Sequence, residues 1–171
     1  LLLDIADKVG FEIDPDNLVV VTQPGVITAN LEAAVEAQDL LYPPDPASHE
    51  LSFIGGNIAK NAGGLRCVKY GVTRDYVLGL EVVLPNGQIW NGLRRLRKDN
   101  TGYDLKQVFL GAEGTLGIIT AAVLKLYPMP REICTAMIAF RDTAAATGLL
   151  SKLREDSGDA VTSFEYIHRQ C

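Results

Sequence analysis

The sequence has few of the residues from which catalytic and metal sites are usually built. Only two histidines occur in its 171 residues, His49 and His168. A Ser-His-Asp triad or a multi-histidine metal site is therefore hard to assemble, so we predict no metal site and interpret both histidines as surface residues. The three cysteines lie far apart without a CxxC pair, which excludes a disulfide framework and a zinc ribbon and fits a reducing compartment.

Long apolar runs and an excess of positive charge are also missing. No hydrophobic stretch approaches the ~20 residues that cross a bilayer, so we predict no membrane span. The 16 basic residues are outnumbered by 21 acidic ones, and the resulting net charge of -5 argues against a nucleic-acid partner. The one basic cluster, at residues 94–98, is interpreted as a solvated loop, with an anion-binding site as the alternative.

The composition is that of a folded protein, with 47% hydrophobic and 22% charged residues. This length predicts one domain, or one domain and part of another. Hydrophobic patterning predicts strands at 1–5, 18–22, 77–84, 88–90, 116–126, 134–140 and 161–167. It predicts helices at 30–42, with Thr28 or Asn30 as N-cap, at 104–110, and at 143–153 after an Asp142 cap. We interpret 11–16 as a turn, find no regular periodicity at 43–75, and place the domain boundary near 128–131.

Glycine is the most informative residue type in the chain. Twelve of the 16 glycines fall between Gly55 and Gly117. Glycine costs backbone entropy in regular elements, so this concentration indicates repeated turns or a close approach to the main chain. Three segments stand out, the proline-rich 43–48 and the glycine-rich 55–64 and 111–117.

Small residues in these segments leave peptide N–H and C=O groups uncovered, where phosphates, ribose or a polar ring edge can bind. Apolar surface beside them is suited to stacking a large heterocycle. The third segment has the spacing GxxGxxG and precedes a strand, so it is not a dinucleotide-binding fingerprint, and no Walker A loop is present. The alternative interpretation is a set of turn-rich loops without a ligand.

Several strings in the sequence together resemble a known family. They are PDPAS at 44–48, IGGN at 54–57, NAGG at 61–64, KYGVT at 69–73, LEVVLPNG at 80–87, LRKDNTGYDL at 96–105 and GAEGTLG at 111–117. The chain is similar to the FAD-linked D-2-hydroxy-acid oxidases and dehydrogenases, which include the glycolate oxidase FAD subunit, D-lactate dehydrogenase and D-2-hydroxyglutarate dehydrogenase. This family belongs to the vanillyl-alcohol-oxidase (PCMH-type) flavoproteins.

The resemblance implies an α+β fold with a mostly antiparallel sheet and flanking helices. Residues 1–130 are then the second subdomain of a PCMH-type FAD-binding domain, and 131–171 are the beginning of a cap domain. The cofactor is FAD, and the resemblance implies contacts at Pro44, Asp45, Pro46, Ser52, Gly55, Gly56, Asn57, Ala59, Asn61, Ala62, Gly64, Glu113, Gly117, Ile118 and Ile119. Asn57 and Asn61 have an alternative interpretation as amides that stabilise turns.

The implied activity is oxidation of a small D-2-hydroxy acid to the 2-oxo acid, with hydride transfer to the flavin. Because the family's first subdomain and most of its cap have no counterpart here, we expect a fragment without assignable catalytic residues. The exposed flavin-facing surface then predicts self-association or pairing with a missing piece. A non-catalytic subunit that assembles with a flavin-bearing partner is the alternative, and a sugar or aldonolactone oxidase is a third reading. The expected compartment is cytoplasmic, or mitochondrial in a eukaryote.

Overall fold

The computed structural model describes residues 7–168, so the strand predicted at 1–5 lies outside the described residues. Seven strands are present in this range: β1 Phe11–Asp14, β2 Val19–Thr22, β3 Leu40–Leu41, β4 Val77–Val83, β5 Ile89–Gly92, β6 Ile118–Lys125 and β7 Tyr127–Pro128. Four α-helices accompany them: α1 Thr28–Glu36, α2 Ile54–Lys60, α3 Cys67–Tyr70 and α4 Thr143–Ser157. Single 3₁₀ turns occur at Thr73–Asp75 and Leu105–Val108. No helix in the described range is both long and apolar enough to cross a membrane.

The main sheet has five antiparallel strands in the order β1-β2-β6-β4-β5. Its central strand β6 pairs with β2 on one side, where Val21 lies opposite Val123, and with β4 on the other, where Leu80 lies opposite Ala122. Helix α2 packs on β6. Burial on the covered face produces one core whose members include Val20, Ile54, Ile58, Leu80 and Leu124. The predicted α+β class with an antiparallel sheet is confirmed.

Strands β3 and β7 form a separate, two-stranded sheet. Leu41 pairs with Tyr127 there, beside a group of tyrosines in edge-to-face contact. The rings of Tyr70 and Tyr127 are 5.0 Å apart between centroids, an arrangement that stabilises beyond the apolar area that is buried. Tyr127 therefore anchors the chain immediately before the predicted boundary at 128–131. The division into two domains at that boundary stays a prediction.

The strands predicted at 18–22, 77–84, 88–90 and 116–126 are confirmed, with small differences at their ends. The turn predicted at 11–16 is wrong for its first four residues, which form β1. Phe11 lies opposite Thr22 and Asp14 opposite Val19, so β2 supplies the ladder partner that makes this short segment a strand. The short helix predicted at 104–110 is a 3₁₀ turn over Leu105–Val108.

The helix predicted at 30–42 is correct in type and wrong in extent. It begins at Thr28 and ends at Glu36, and residues 40–41 form β3 instead. Neither predicted N-cap is used, because Ile27 occupies the cap position and the Thr28 hydroxyl donates to the Ser52 carbonyl oxygen. The helix ends before the prolines because Asp39 takes a left-handed backbone conformation with φ of 57°.

Beyond residue 130 only the helical prediction is correct. Helix α4 begins after Asp142, whose carboxylate accepts the Ala145 N–H at 2.8 Å, and it ends at Gly158 with φ of 61°. It runs four residues past the predicted end at Leu153. The strands predicted at 134–140 and 161–167 are wrong: neither segment pairs with another strand among residues 7–168, so no ladder forms.

Candidate functional site

Helix α2 forms the middle of the candidate site, although no regular structure is predicted for its sequence. Ile54 and Ile58 are one helical turn apart and both fully buried, so the core holds this helix despite two adjacent glycines. Gly55 is required by a close approach: a Cβ there would lie 2.5 Å from the Cβ of Pro24. The first of the two glycines thus serves internal packing.

The second glycine faces open space. Gly56 is exposed, no atom lies within 4 Å of the position that a Cβ would take, and its N–H has no acceptor among residues 7–168. Gly114 shares all three properties and takes φ of 79°, a conformation that favours glycine. Uncovered peptide groups of this kind bind anions and polar ring edges.

The proline-rich segment and the end of the first glycine-rich segment are in direct contact. The Leu65 N–H donates to the Asp45 carbonyl oxygen at 3.2 Å. A Cβ on Gly64 would lie 2.4 Å from that same oxygen, so only glycine allows the two backbones to approach this closely. The structure therefore brings 43–48 and 55–64 together.

The second glycine-rich segment, at 111–117, docks on the carboxyl end of α2. The Gly111 N–H donates to the Ile58 carbonyl oxygen at 3.3 Å, and the Glu113 N–H donates to that of Ala59 at 3.0 Å. The Ala59 carbonyl is one that the end of a helix leaves without a partner, whereas the Ile58 carbonyl also accepts the Asn61 N–H at 3.0 Å. All three segments singled out in the sequence consequently form one continuous surface around α2.

An apolar groove adjoins this surface at the beginning of α2. Its volume is about 270 Å³, and Phe53, Val26 and Ile27 are among the residues that line it. Phe53 is 46% exposed and precedes Gly56 by three residues, so both lie on one side of the helix. The groove is smaller than the 300–1,000 Å³ typical of a complete site for a drug-sized ligand. It can hold part of a large heterocyclic cofactor.

The two predicted asparagines make internal hydrogen bonds. The Asn57 amide nitrogen is buried and donates to Thr28 Oγ1 at 2.7 Å and Ser52 Oγ at 3.2 Å. Asn61 ends α2 with φ of 54°, and its Oδ1 accepts the Arg74 N–H at 2.9 Å. These bonds favour the alternative interpretation, in which both amides stabilise local structure.

The predicted FAD contacts, taken all together, fall into three classes of exposure. The buried ones are Pro44, Pro46, Gly55, Asn57 and Ile119. The half-buried ones are Asp45, Ser52, Ala59, Asn61, Ala62, Gly64 and Gly117. The exposed ones are Gly56, Glu113 and Ile118. Direct contact with a bound molecule is open to the last two classes, while the buried residues shape the surface from behind.

A charged cluster lies behind the proline-rich segment, and no motif in the sequence indicates it. His49 Nδ1 is 3.0 Å from Glu32 Oε2 and 3.9 Å from Asp45 Oδ1, while Arg66 Nη2 lies 3.5 Å from Asp45 Oδ2. Burial raises the pKa of Glu32 above its usual range. The hydrogen bond to Glu32 raises the pKa of His49, with smaller contributions from the charges of Asp45 and Glu50.

Comparison with protein families shows to which family the chain belongs. The model of a family described as "FAD binding domain" matches residues 1–92. The chain belongs to this family of FAD-binding domains. The resemblance found in the sequence is confirmed, and FAD is the cofactor of the family.

Several curated relatives are similar over most of the chain. Glycolate oxidase subunit GlcD of Bacillus subtilis is 53% identical over 142 residues, which are 83% of this chain and 30% of that protein. D-lactate dehydrogenase of Anaerostipes hadrus is 46% identical over 129 residues, 75% of this chain and 27% of that protein. Mitochondrial D-2-hydroxyglutarate dehydrogenase of Rattus norvegicus is 41% identical over 153 residues, 90% and 29% respectively. The chain thus spans less than a third of the length of these relatives.

Solved structures agree with the α+β assignment. An alkyldihydroxyacetonephosphate synthase superposes with a TM-score of 0.72 at 29% identity and covers 90% of this chain, which in turn covers 28% of the synthase. A variant of Phl p 4, described as a glucose oxidase, has a TM-score of 0.61 over 73% of this chain and 24% of its own. At 22% identity the second match concerns the fold alone.

Proposed function

We propose that this chain is part of an FAD-dependent oxidoreductase that oxidises a small D-2-hydroxy acid to the 2-oxo acid. The surface around α2 is one wall of its FAD site. The observation that carries this proposal is the pair of glycines, Gly56 and Gly114, whose Cβ positions face open space and whose N–H groups have no acceptor among residues 7–168. The names of the similar proteins supply the substrate class.

The residues present fit a dinucleotide cofactor. Gly56 lets a flat or phosphorylated group approach the peptide plane, and its N–H donates a hydrogen bond to an oxygen of that group. Gly114 does the same from the adjoining loop. Phe53 and the groove beside it provide apolar contact for a ring.

Buried positions hold this wall in place. The prolines at 44 and 46 have fixed φ, so the 43–48 segment needs little ordering when a ligand binds. Bound FAD supplies a two-electron acceptor for the α-hydrogen of the substrate. We assign no catalytic base to this chain.

Titration of the chain with FAD tests the proposal, followed by quenching of flavin fluorescence and by the absorption spectrum. The decisive variant is Gly56→Ala, which adds one methyl group to the open face. The matched control is Gly148→Ala, because Gly148 is also an exposed helical glycine with no atom near its Cβ position. We expect Gly56→Ala to weaken FAD binding about tenfold or more, and Gly148→Ala to leave it unchanged.

Two results contradict the proposal. Equal FAD affinity of the wild-type chain and Gly56→Ala removes Gly56 from the site. A chain that changes neither the fluorescence nor the absorption spectrum of added FAD favours the alternative of a non-catalytic subunit that assembles with a flavin-bearing partner.

Three further properties belong to the proposal. The substrate is one of glycolate, D-lactate and D-2-hydroxyglutarate, the compounds named in the similar proteins. Self-association is proposed because Leu65, Leu116 and Ile118, within or directly after the glycine-rich segments, are 40–54% exposed. The compartment is cytoplasmic, or mitochondrial for a eukaryotic source, since the D-2-hydroxyglutarate dehydrogenases are named as mitochondrial proteins.

A further inference from the structure

Two buried side-chain oxygen atoms have no hydrogen-bond partner among residues 7–168. They are Glu32 Oε1, in the charged cluster, and the hydroxyl of Tyr42. Buried polar groups without partners are rare in folded proteins and often mark a place where water or an ion binds. Tyr42 is 1% exposed, and the charge of Glu32 contributes, after burial, to raising its pKa. Glu32 Oε1 belongs to the charged cluster itself, so this cluster contains a buried carboxylate oxygen without a partner among the described residues.

Three potential metal ligands surround the same position. Ligand atoms of Glu32, Asp45 and His49 all lie within 4.8 Å of one another. Bonds of about 2.0–2.2 Å from zinc to nitrogen and oxygen place neighbouring tetrahedral ligands about 3.4 Å apart. His49 Nδ1 lies 3.0 Å from a carboxylate oxygen of Glu32 and 3.9 Å from one of Asp45. These two distances lie on either side of about 3.4 Å, so small side-chain movements are enough to accommodate the ion and the backbone need not move.

The surroundings favour a divalent cation. The Glu32 and Asp45 side chains are only 13% and 24% exposed, so two carboxylates are held together in a partly desolvated place. Arg66 pairs with Asp45 Oδ2 and offsets one of the two negative charges. The other oxygen of that carboxylate, Oδ1, is the one nearer to His49. Outer partners of this kind orient metal-binding carboxylates.

We propose that Glu32, Asp45 and His49 form a site for a divalent transition-metal ion of the Zn²⁺ class. One imidazole and two carboxylates are a suitable ligand set for such an ion, which leaves a fourth position for water. Binding uses the Nδ1 lone pair, so the imidazole carries its proton on Nε2. The ion joins α1 to the proline-rich segment, and its ligand Asp45 is also one of the FAD contacts that the family resemblance implies.

Isothermal titration of the metal-free chain with Zn²⁺ alone tests this site. We expect one ion to bind per chain, with an affinity that falls as the pH is lowered and protons compete for the ligands. Glu32→Gln, Asp45→Asn and His49→Gln should each weaken binding about tenfold or more, because loss of even an outer partner typically costs 10–100-fold. Glu36→Gln, on the exposed side of α1, and His168→Gln are the matched controls and should bind as the wild-type chain does.

Thiols are the competing explanation for any Zn²⁺ binding. A variant with serine at all three cysteine positions, 67, 134 and 171, should keep the full affinity. Loss of binding in that variant, retention of binding in His49→Gln, or absence of binding to the wild-type chain would each overturn the proposal.

A measurement on the unaltered chain covers the case in which a variant does not fold. Diethyl pyrocarbonate modifies free imidazole nitrogens, and mass spectrometry locates the modified histidine. We expect Zn²⁺ to protect His49 and to leave the reaction of His168 unchanged. Equal modification of His49 with and without Zn²⁺ contradicts the site.

Discussion

The Asn57 amide nitrogen lies 2.7 Å from Thr28 Oγ1 and joins α2 to the first turn of α1. Ser52 Oγ, 2.9 Å from the Thr28 hydroxyl and 3.2 Å from the amide, completes a buried polar triangle. The two helices that flank the candidate site are therefore held by hydrogen bonds in addition to apolar packing. This triangle makes the position of α2 sensitive to a single side chain.

Replacement of Asn57 by alanine should lower the free energy of unfolding by about 1–3 kcal/mol, because it leaves the buried Thr28 hydroxyl and the half-buried Ser52 hydroxyl with fewer partners. Urea denaturation followed by circular dichroism measures this change. The control is Asn30→Ala on the exposed side of α1, which should remain within about 0.5 kcal/mol of wild type. An Asn57→Ala chain as stable as the control would contradict a structural role for this amide.

The adjacent glycines of α2 should respond oppositely to the same substitution. Gly55→Ala forces a methyl group to within 2.5 Å of Pro24 Cβ, an overpacking that costs about 1–3 kcal/mol. Gly56→Ala meets open space and should stabilise the helix by up to about 1 kcal/mol, because alanine has the higher helix propensity. Urea denaturation of the two variants separates packing from the cofactor role proposed for Gly56. Equal stabilities would show that Pro24 does not constrain Gly55.

The stability of the metal-free chain should decrease as pH rises from about 4.5, the ordinary pKa of Glu32, to above 6.5, the ordinary pKa of His49. The pKa of each is raised in the folded chain, His49 mainly by its bond to Glu32 and Glu32 mainly by burial. A group with a raised pKa stabilises the fold below its unfolded pKa, and this contribution is lost as pH rises through the folded pKa. Glu32→Gln should flatten the dependence.

Two measurements check this expectation in the presence of EDTA. Urea denaturation across the pH window gives the slope for wild type, Glu32→Gln and the exposed control Glu36→Gln. NMR titration of the His49 imidazole should show its pKa moving down towards 6.5 in Glu32→Gln, although the charges of Asp45 and Glu50 remain. A His49 pKa that does not change in this variant is inconsistent with the bond seen here.

The cap of α4 should matter locally rather than globally. Asp142→Ala removes the bond to the Ala145 N–H, and loss of such a cap costs a helix about 0.5–2 kcal/mol. Only Ala146 of α4 is buried, so the helix contributes little to the core. Hydrogen exchange in the first two turns should accelerate about 2–30-fold, while the urea midpoint of the chain stays unchanged. A lowered global midpoint would show that α4 is coupled to the sheet.

The strands of the sheet could largely be predicted because their residues carry the information themselves. Val19–Thr22 and Val77–Val83 are rich in β-branched residues, and Asn86-Gly87 indicates the hairpin turn between β4 and β5. Residues 134–140 have the same kind of composition and form no strand. A strand also needs a partner, and which segment pairs with which is decided by the tertiary fold.

For helix α2 the prediction fails in the opposite direction, because a helix is present where the sequence predicts none. Its two glycines lower helix propensity, so local reasoning finds no helix. Burial of Ile54 and Ile58 against the sheet overrides this preference, and the close approach to Pro24 explains why a glycine is needed. Neither fact is visible before the fold is known.

The candidate site likewise has one part that could be predicted from the sequence and one part that could not. That three segments of small residues serve one surface could be inferred from their composition and from the family resemblance. The bond between Glu32 and His49 could not, because these residues are far apart in the sequence and lie in no shared motif. Their proximity results from the packing of α1 against the loop that follows β3.

Strand β6 lies between β2 and β4 and follows both of them in the chain. On the ribosome, therefore, the nascent polypeptide holds two isolated hairpins, β1–β2 and β4–β5, until Ile118–Lys125 leave the exit tunnel. Each hairpin meanwhile has an edge without its β6 partner, and edge-to-edge association competes with insertion of β6. This interval ends only when the eight residues of β6 have been synthesised and have left the tunnel.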